Sequence, residues 1–399
     1  MMIRGRNSGA TADQEGKIID PVDFARDLIR RPSVTPADDG ALDLVEQAAK
    51  RIGFRTHRLR FEDPASPAVD NLYARFGNDR PHFCFAGHTD VVPAGRIEDW
   101  SRPPFEAAIG DGFLWGRGAA DMKSAIAAFI AAVGRVRDES GISGSVSLLI
   151  TGDEEGPAIN GTRKVLGWLH ARGESIDHCL VGEPTSSERL GDMIKVGRRG
   201  SMNCRLLVTG SQGHVAYPER SANPVHAIVK MLAALAGPID EGYLRFDPSY
   251  LQATDLEVGN PAHNVVPGRA SARFNIRFNP NWTPASLEAF IRARLDDAAA
   301  GTGATYDLGV TASGEAFLTR DDGFLALIAD AIRARTGRVP EYSTSGGTSD
   351  ARFIKDFCPV ADFGLVGATI HQIDERCAID DIHALTDIYA DVLRGYFRR

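Results

Sequence analysis

Several familiar signatures are missing from this sequence. No stretch approaches the run of about 18–20 apolar residues that crosses a bilayer. There is no basic excess: 45 Lys and Arg stand against 53 Asp and Glu, a formal charge of −8. That balance argues against nucleic acid or an anionic membrane as the main partner. The five cysteines (Cys84, Cys179, Cys204, Cys358, Cys377) are odd in number, scattered and without a C-x-x-C pair. They fit reduced, mostly buried thiols in a reducing compartment. Cys84 and Cys179 lie inside apolar strand patterns, which argues against a nucleophilic role. The glycine-rich Ser345–Asp350 lacks the Gly-x-x-x-x-Gly-Lys-Ser/Thr pattern of a nucleotide loop. Internal repeats and low-complexity segments are absent.

What is present is the material of an ordinary globular protein, with 43% hydrophobic and 25% charged residues. A length of 399 residues predicts two domains. Residues 1–16 are polar and mixed in charge, with no apolar core of a signal peptide. They are expected to be a disordered extension, and the chain to stay in the cytoplasm. Asp20-Pro21 caps an expected helix to Arg31, and 36–53 carries an amphipathic one. Continuous apolar runs at 80–87, 145–151 and 177–182 predict strands buried on both faces. Helical stretches at 122–138 and 162–172 separate them, which predicts an α/β fold: a mostly parallel sheet with helices on both faces.

The pattern changes near Gly200. Alternating strands at 202–208, 253–258, 270–278 and 304–311, with helices at 223–236 and 284–299, follow the order β-α-β-β-α-β of a ferredoxin-like α+β unit. Helices at 321–335, 349–355 and 380–398 close the chain. The expected division is a first domain of 17–199 and 312–399, interrupted by a smaller one of 200–311.

Each buried strand ends in polar residues that a purely structural strand does not need: Gly87-His88-Thr89-Asp90, Gly152-Asp153-Glu154-Glu155 and Gly182-Glu183-Pro184. Ligands of open α/β sheets bind at the C-terminal strand edge. Asp121, in Gly116-Arg-Gly-Ala-Ala-Asp-Met-Lys123, is predicted at the start of the intervening helix, where an N-cap is the simplest role. Together these residues would crowd carboxylates and a histidine into one crevice, and bound cations would relieve the repulsion. The mixed imidazole and carboxylate set suits zinc or a similar transition metal better than calcium or magnesium. It leaves room for two ions, with a carboxylate such as Asp121 bridging them at roughly 3.5–4 Å. Asp90 suits a partner that orients His88. Side chains of the adjacent Glu154 and Glu155 diverge, so one can bind metal while the other faces substrate. His214 falls between a strand and a helix of the inserted domain, and His371 follows an apolar strand of the first; either alone is usually structural.

The ordered set His88-Thr-Asp90, Gly116–Lys123, Asp153-Glu-Glu155, Gly182-Glu-Pro184, Gly213-His-Val-Ala-Tyr-Pro218 and His371 resembles the dinuclear zinc aminoacylase and carboxypeptidase family. The match runs from about Ile18 to the C-terminus. Residues 260–267 and 346–353 point, less specifically, to one amide-hydrolysing subgroup. The resemblance implies two Zn²⁺ ions per chain, with Co²⁺ able to substitute at one site. His88 and Glu183 would hold one ion, Glu155 and His371 the other, with Asp121 between them. It makes Asp90 the support of His88 and Glu154 the general base. His214 would stabilise the oxyanion, reaching across from a partner subunit, and Arg198, Tyr217, Asn264, Arg277 and Thr348 would line the substrate pocket. A small-molecule substrate and a homodimer formed through the inserted domain follow. Departures from the family are Ser124 after Lys123, where glycine is common, and Asp374, where asparagine is common; Asp374 would add negative charge near a metal ligand. A related hydrolase with another N-acyl substrate, a metallocarboxypeptidase and a non-catalytic dimeric binding protein are the alternatives.

Overall fold

A computed structural model describes residues 19–398; the expected extension at 1–16 lies outside them. The chain divides into two compact units, 1–194 with 320–341 and 349–399, and 195–319 with 342–348. The second unit is thus wider than 200–311 and takes in 342–348, a piece of sequence that returns to it after the helix Asp322–Thr336.

The first unit is built on a sheet whose strands lie in the order Arg55–Asp63, Ser66–Phe76, Ser145–Thr151, His82–His88, His178–Val181, Val360–Asp362, Met193–Lys195, Glu341–Ser343. His82–His88 runs parallel to both Ser145–Thr151 and His178–Val181, and Val360–Asp362 runs parallel to the latter. All seven residues of both His82–His88 and Ser145–Thr151 are buried, as expected of central strands covered on two faces. The sheet is not parallel throughout. Arg55–Asp63 and Ser66–Phe76 form an antiparallel hairpin at one edge, which the sequence pattern does not disclose. Arg55–Asp63 is RTHRLRFED, with one buried residue in nine, so it carries too little apolar alternation to read as a strand.

Helix Ser124–Ser140 is apolar nearly all round at its start, and its first ten residues are buried. It starts three residues after Asp121, whose φ of −121° and ψ of 95° are not helical. Asp121 therefore sits in an irregular turn and is no N-cap. The core beside this helix is aromatic. Phe129 stacks on Phe85 with ring centroids 4.2 Å apart and meets Tyr389 of the helix Ile379–Phe397 edge-on at 5.6 Å. The Tyr389 hydroxyl, wholly buried, donates to the Phe363 carbonyl at 2.7 Å.

The second unit holds a four-stranded antiparallel sheet in the order Tyr250–Glu257, Arg269–Phe278, Gly200–Thr209, Thr305–Gly314, with helices Pro224–Ala234 and Pro284–Ala299. Taken in chain order, the strands stand 2-3-1-4 in space, the ferredoxin-like arrangement. Met202, Cys204, Leu206 and Val208 alternate with exposed or half-buried residues and pack with Ile228, Phe274, Ile276, Leu287 and Ile291 into its own core. Asn223 caps the first helix, and Thr283 with Ser286 forms a capping box on the second. No helix among the described residues is long and apolar enough to cross a membrane.

Removing the central ring of the aromatic core tests this packing. Phe129→Ala should lower stability by about 3–5 kcal/mol, the usual cost of an unfilled aromatic site. Urea unfolding would read it; a loss under 1 kcal/mol would mean that the core closes over the gap.

Candidate metal centre

Parallel strands bring their C-terminal ends to one edge, and the first unit uses that edge. His88 is the last residue of its strand, Glu154 and Glu155 follow Ser145–Thr151 closely, and Glu183 lies two residues past His178–Val181. Packing is tight here: a Cβ on Gly87 would stand 2.4 Å from the methyl of the buried Met122 and would push that side chain aside. His371 arrives on the segment between Val360–Asp362 and Arg376–Ala378.

The donor atoms converge. His88 Nε2 lies 3.2 Å from Asp121 Oδ1 and 3.8 Å from Glu183 Oε1. His371 Nε2 lies 2.9 Å from Glu155 Oε1 and 3.4 Å from Asp121 Oδ2. The two oxygens of Asp121 thus face different imidazoles. Ligand atoms of His88, Asp121 and Glu155 lie within 4.8 Å of one another, as do those of His88, Glu154 and Glu183. His88 Nδ1 is 2.8 Å from the Asp90 backbone carbonyl, which can only accept. The Nδ1 proton is therefore held there, and Nε2 is the nitrogen offered to the cleft. Asp90 orients His88 by that carbonyl; its carboxylate instead accepts N–H groups of Glu154 (3.3 Å) and Glu155 (3.0 Å), bracing their turn.

The electrostatics follow from carboxylates crowded out of water. Burial pushes Glu183 well above the usual carboxylate range, with Asp121 and Glu154 adding to it. Burial does the same to Glu154, aided by Asp350, Glu155 and Asp121 and opposed by His88. Burial raises Asp90 to about 6. Burial would raise Asp121 too, but hydrogen bonds to His371 and His88 hold it below the usual range. The hydrogen bonds to Asp121 and Glu155 raise His371 to about 10. His88 also stands well above its ordinary value, because the Asp121 hydrogen bond and the surrounding carboxylates outweigh its burial. Protons on the two imidazoles offset part of the negative charge. Metal cations would offset more, and two inward nitrogens with four inward carboxylates are a donor set that fits them.

The sequence-derived candidates divide between the units. His88, Asp90, Asp121, Glu154, Glu155, Glu183 and His371 lie in the first; Arg198, His214, Tyr217, Asn264, Arg277 and Thr348 lie in the second. Within the second, His214 pairs with Val265 in a short ribbon, and the Asn264 carbonyl accepts from Val215 N–H at 3.3 Å. The His214 and Tyr217 rings are 5.8 Å apart, and both residues are exposed. Arg198 is buried, and Arg277 is half-buried on the central strand Arg269–Phe278. Asp374 has a φ of 62°, and its carboxylate accepts the Ser101 N–H at 2.8 Å.

Three residues carry more of the centre than their sequence context suggests. Glu375, fully buried, pairs with Arg117 at 2.6 Å. Lys123, also fully buried, donates to the Arg31 carbonyl at 2.6 Å, and burial brings it down to about 7. Arg117 and Lys123 flank Asp121 in a glycine-rich motif, the one signal available, but nothing in the chain order ties either to its partner.

Comparison with known proteins adds the family. Residues 84–395 match the model of a family described as peptidase family M20/M25/M40. The chain is 57% identical over 380 residues to the succinyl-diaminopimelate desuccinylase of Rhodospirillum centenum, covering 95% of this chain and 97% of that protein. A protein of the same name from Parvibaculum lavamentivorans is 56% identical over 389 residues, 97% of this chain and 98% of the relative. In fold the chain is similar to the Bacillus subtilis YXEP protein, described as a dinuclear metal binding peptidase from the M20 family. That likeness has a TM-score of 0.70 at 16% identity, over 95% of this chain and 98% of the other.

The raised pKa of His371 has a consequence for the metal-free protein. A histidine with a folded value near 10 and an unfolded value near 6.5 contributes stability that is complete below about pH 6.5 and lost as pH rises through about 10. In chelator-treated protein, the stability difference between wild type and His371→Asn should therefore shrink from pH 6.5 to pH 10. A constant difference in urea midpoints would show that His371 gains nothing from Asp121 and Glu155.

Proposed function

This chain belongs to peptidase family M20/M25/M40, and on that footing we propose that it hydrolyses the succinyl amide of N-succinyl-L,L-2,6-diaminopimelate. The products are succinate and L,L-diaminopimelate, a step of lysine biosynthesis. The observation that carries this is the 57% and 56% identity, over nearly the whole chain, to relatives that bear that one name. The chain is a metal-dependent amidohydrolase.

The ligand assignment rests on the convergence in the first unit. His88 and Glu183 would hold one ion and Glu155 and His371 the other; Asp121, which has one oxygen toward each imidazole, would serve both. Zinc is the metal proposed, with cobalt able to replace it at one position, because the donors are imidazole and carboxylate. Such ions, when bound, supply Lewis acidity that polarises an amide carbonyl and eases loss of a proton from water. Glu154 is the general base: burial among other carboxylates raises its affinity for a proton, which suits a group that takes a proton from water and passes it to the leaving amine nitrogen. Asp90 keeps Glu154 in place through its backbone N–H and keeps the proton on His88 Nδ1.

For the second unit the proposal comes from the sequence. His214 stabilises the oxyanion, acting from the partner of a homodimer, and Arg198, Tyr217, Asn264, Arg277 and Thr348 select the substrate. Arginine suits a substrate with several carboxylates because guanidinium binds a carboxylate through two parallel hydrogen bonds. The cytoplasm is the proposed compartment.

Two measurements test these assignments. Chelation should abolish hydrolysis, and zinc or cobalt should restore it. In the restored protein, turnover of the succinyl substrate should exceed that of acetylornithine; the reverse order would overturn the desuccinylase reading. Glu154→Gln should retain its metal yet lose about 10²–10⁴-fold in kcat, the range for a removed general base. Glu155→Ala should instead lose metal, and equal metal loss in the two variants would mean that base and ligand have been exchanged.

A further inference from the structure

The two segments that meet at the centre, one carrying Asp121 and the other His371, are joined by a buried pair of side chains, Glu375 and Arg117. Glu375 Oε1 accepts three backbone N–H groups of the Asp121 turn: Gly118 at 3.1 Å, Ala120 at 3.0 Å and Asp121 itself at 3.1 Å. Oε2 accepts from Arg117 Nη1 at 2.6 Å. Arg117 also donates to the Gln372 carbonyl at 3.3 Å and to the His371 carbonyl at 3.4 Å. The Glu375 backbone takes part as well, its carbonyl accepting the Gly116 N–H at 2.9 Å.

This geometry needs an anion with two acceptor oxygens. Three N–H groups converging on one point form a concave anion site, and the guanidinium supplies the charge partner that a buried carboxylate requires. Glu375 faces the backbone of the centre and not its cleft, and N–H donors occupy both its oxygens. It is therefore no ligand. Gly118, with a φ of 85°, makes the turn possible, since a Cβ there would stand 2.9 Å from both Val91 and Lys123 side-chain carbons.

We propose that Glu375, working with Arg117, is a positioning residue that sets the spacing of Asp121 and His371 and thereby the metal affinity of the centre. This rests on the ligand assignment proposed above. The Asp121 carboxylate and the His371 ring lie 3.4 Å apart. Each is carried on backbone that the pair grips directly, Asp121 through its N–H and His371 through its carbonyl. Exchanging Glu375 for its amide leaves one oxygen where two are needed and turns N–H groups toward Arg117 or toward the turn. The turn is then free to shift, and the two ligands lose their fixed separation.

The experiment is a zinc titration of chelator-stripped protein against a competing metallochromic chelator, with folding checked by circular dichroism. Glu375→Gln should bind zinc about 10–100-fold more weakly than wild type, the usual cost of losing a partner behind the ligands. Arg117→Lys keeps the carboxylate and its three N–H donors and should lose less, but measurably. On an Asp121→Asn background, Glu375→Gln should cost far less than on wild type, because its effect passes through Asp121; a general loss of stability would add in full. Wild-type affinity in folded Glu375→Gln overturns the proposal. Should that variant not fold, Arg117→Lys decides it, and unchanged affinity there overturns it equally. Absence of zinc binding by the wild-type chain would instead overturn the ligand assignment beneath it.

Discussion

Negative charge gathered out of water is the constraint on which the first unit depends. Asp121, Glu154, Glu155 and Glu183 meet at one strand edge, and burial works against the ionised state of most of them. In low dielectric such a group of anions persists only where something positive stands among them. Two imidazoles do so in the metal-free chain, holding protons on the side that faces the carboxylates. Arg117 does not serve the cleft, since its charge is committed to Glu375. The remaining imbalance is what makes the centre a cation site, and it explains why histidines and carboxylates alternate around Asp121.

Rigid surroundings keep the anions from moving apart. His82–His88 and Ser145–Thr151 are buried along their whole length and run parallel, so the registers of His88 and the Glu154-Glu155 pair are set together. The aromatic cluster of Phe85, Phe129 and Tyr389 anchors the helix that follows the Asp121 turn. Hydrogen bonds between side chains and the main chain then do the fine placement: the Asp90 carbonyl for His88, the Asp90 carboxylate for Glu154 and Glu155, and the Glu375 carboxylate for Asp121. Repulsion among the acidic side chains is thus opposed by hydrogen bonds to the main chain behind them.

Fold class was legible because the apolar runs at 82–88 and 145–151 are continuous, while Met202–Val208 alternates, and these two periods distinguish a doubly covered strand from a half-covered one. The hairpin at 55–76 was not legible, since its first strand keeps one buried residue in nine and lies at the sheet edge. Asp121 reads as a helix start because the apolar helix follows so closely. Only the backbone angles show that Asp121 lies in an irregular turn, three residues before the helix begins.

By itself, then, the sequence determined which strands form the buried sheet and which histidines and carboxylates follow their ends: residue type and hydrophobic period are local properties. Tertiary structure decided what each side chain does for its neighbours. It assigned the orientation of His88 to the Asp90 carbonyl, sent the Asp374 charge to Ser101, and joined Glu375 to a turn more than 250 positions earlier in the chain. Hydrogen bonds of that kind depend on distances of about 3 Å between segments far apart in sequence, and no local pattern of residues encodes a distance.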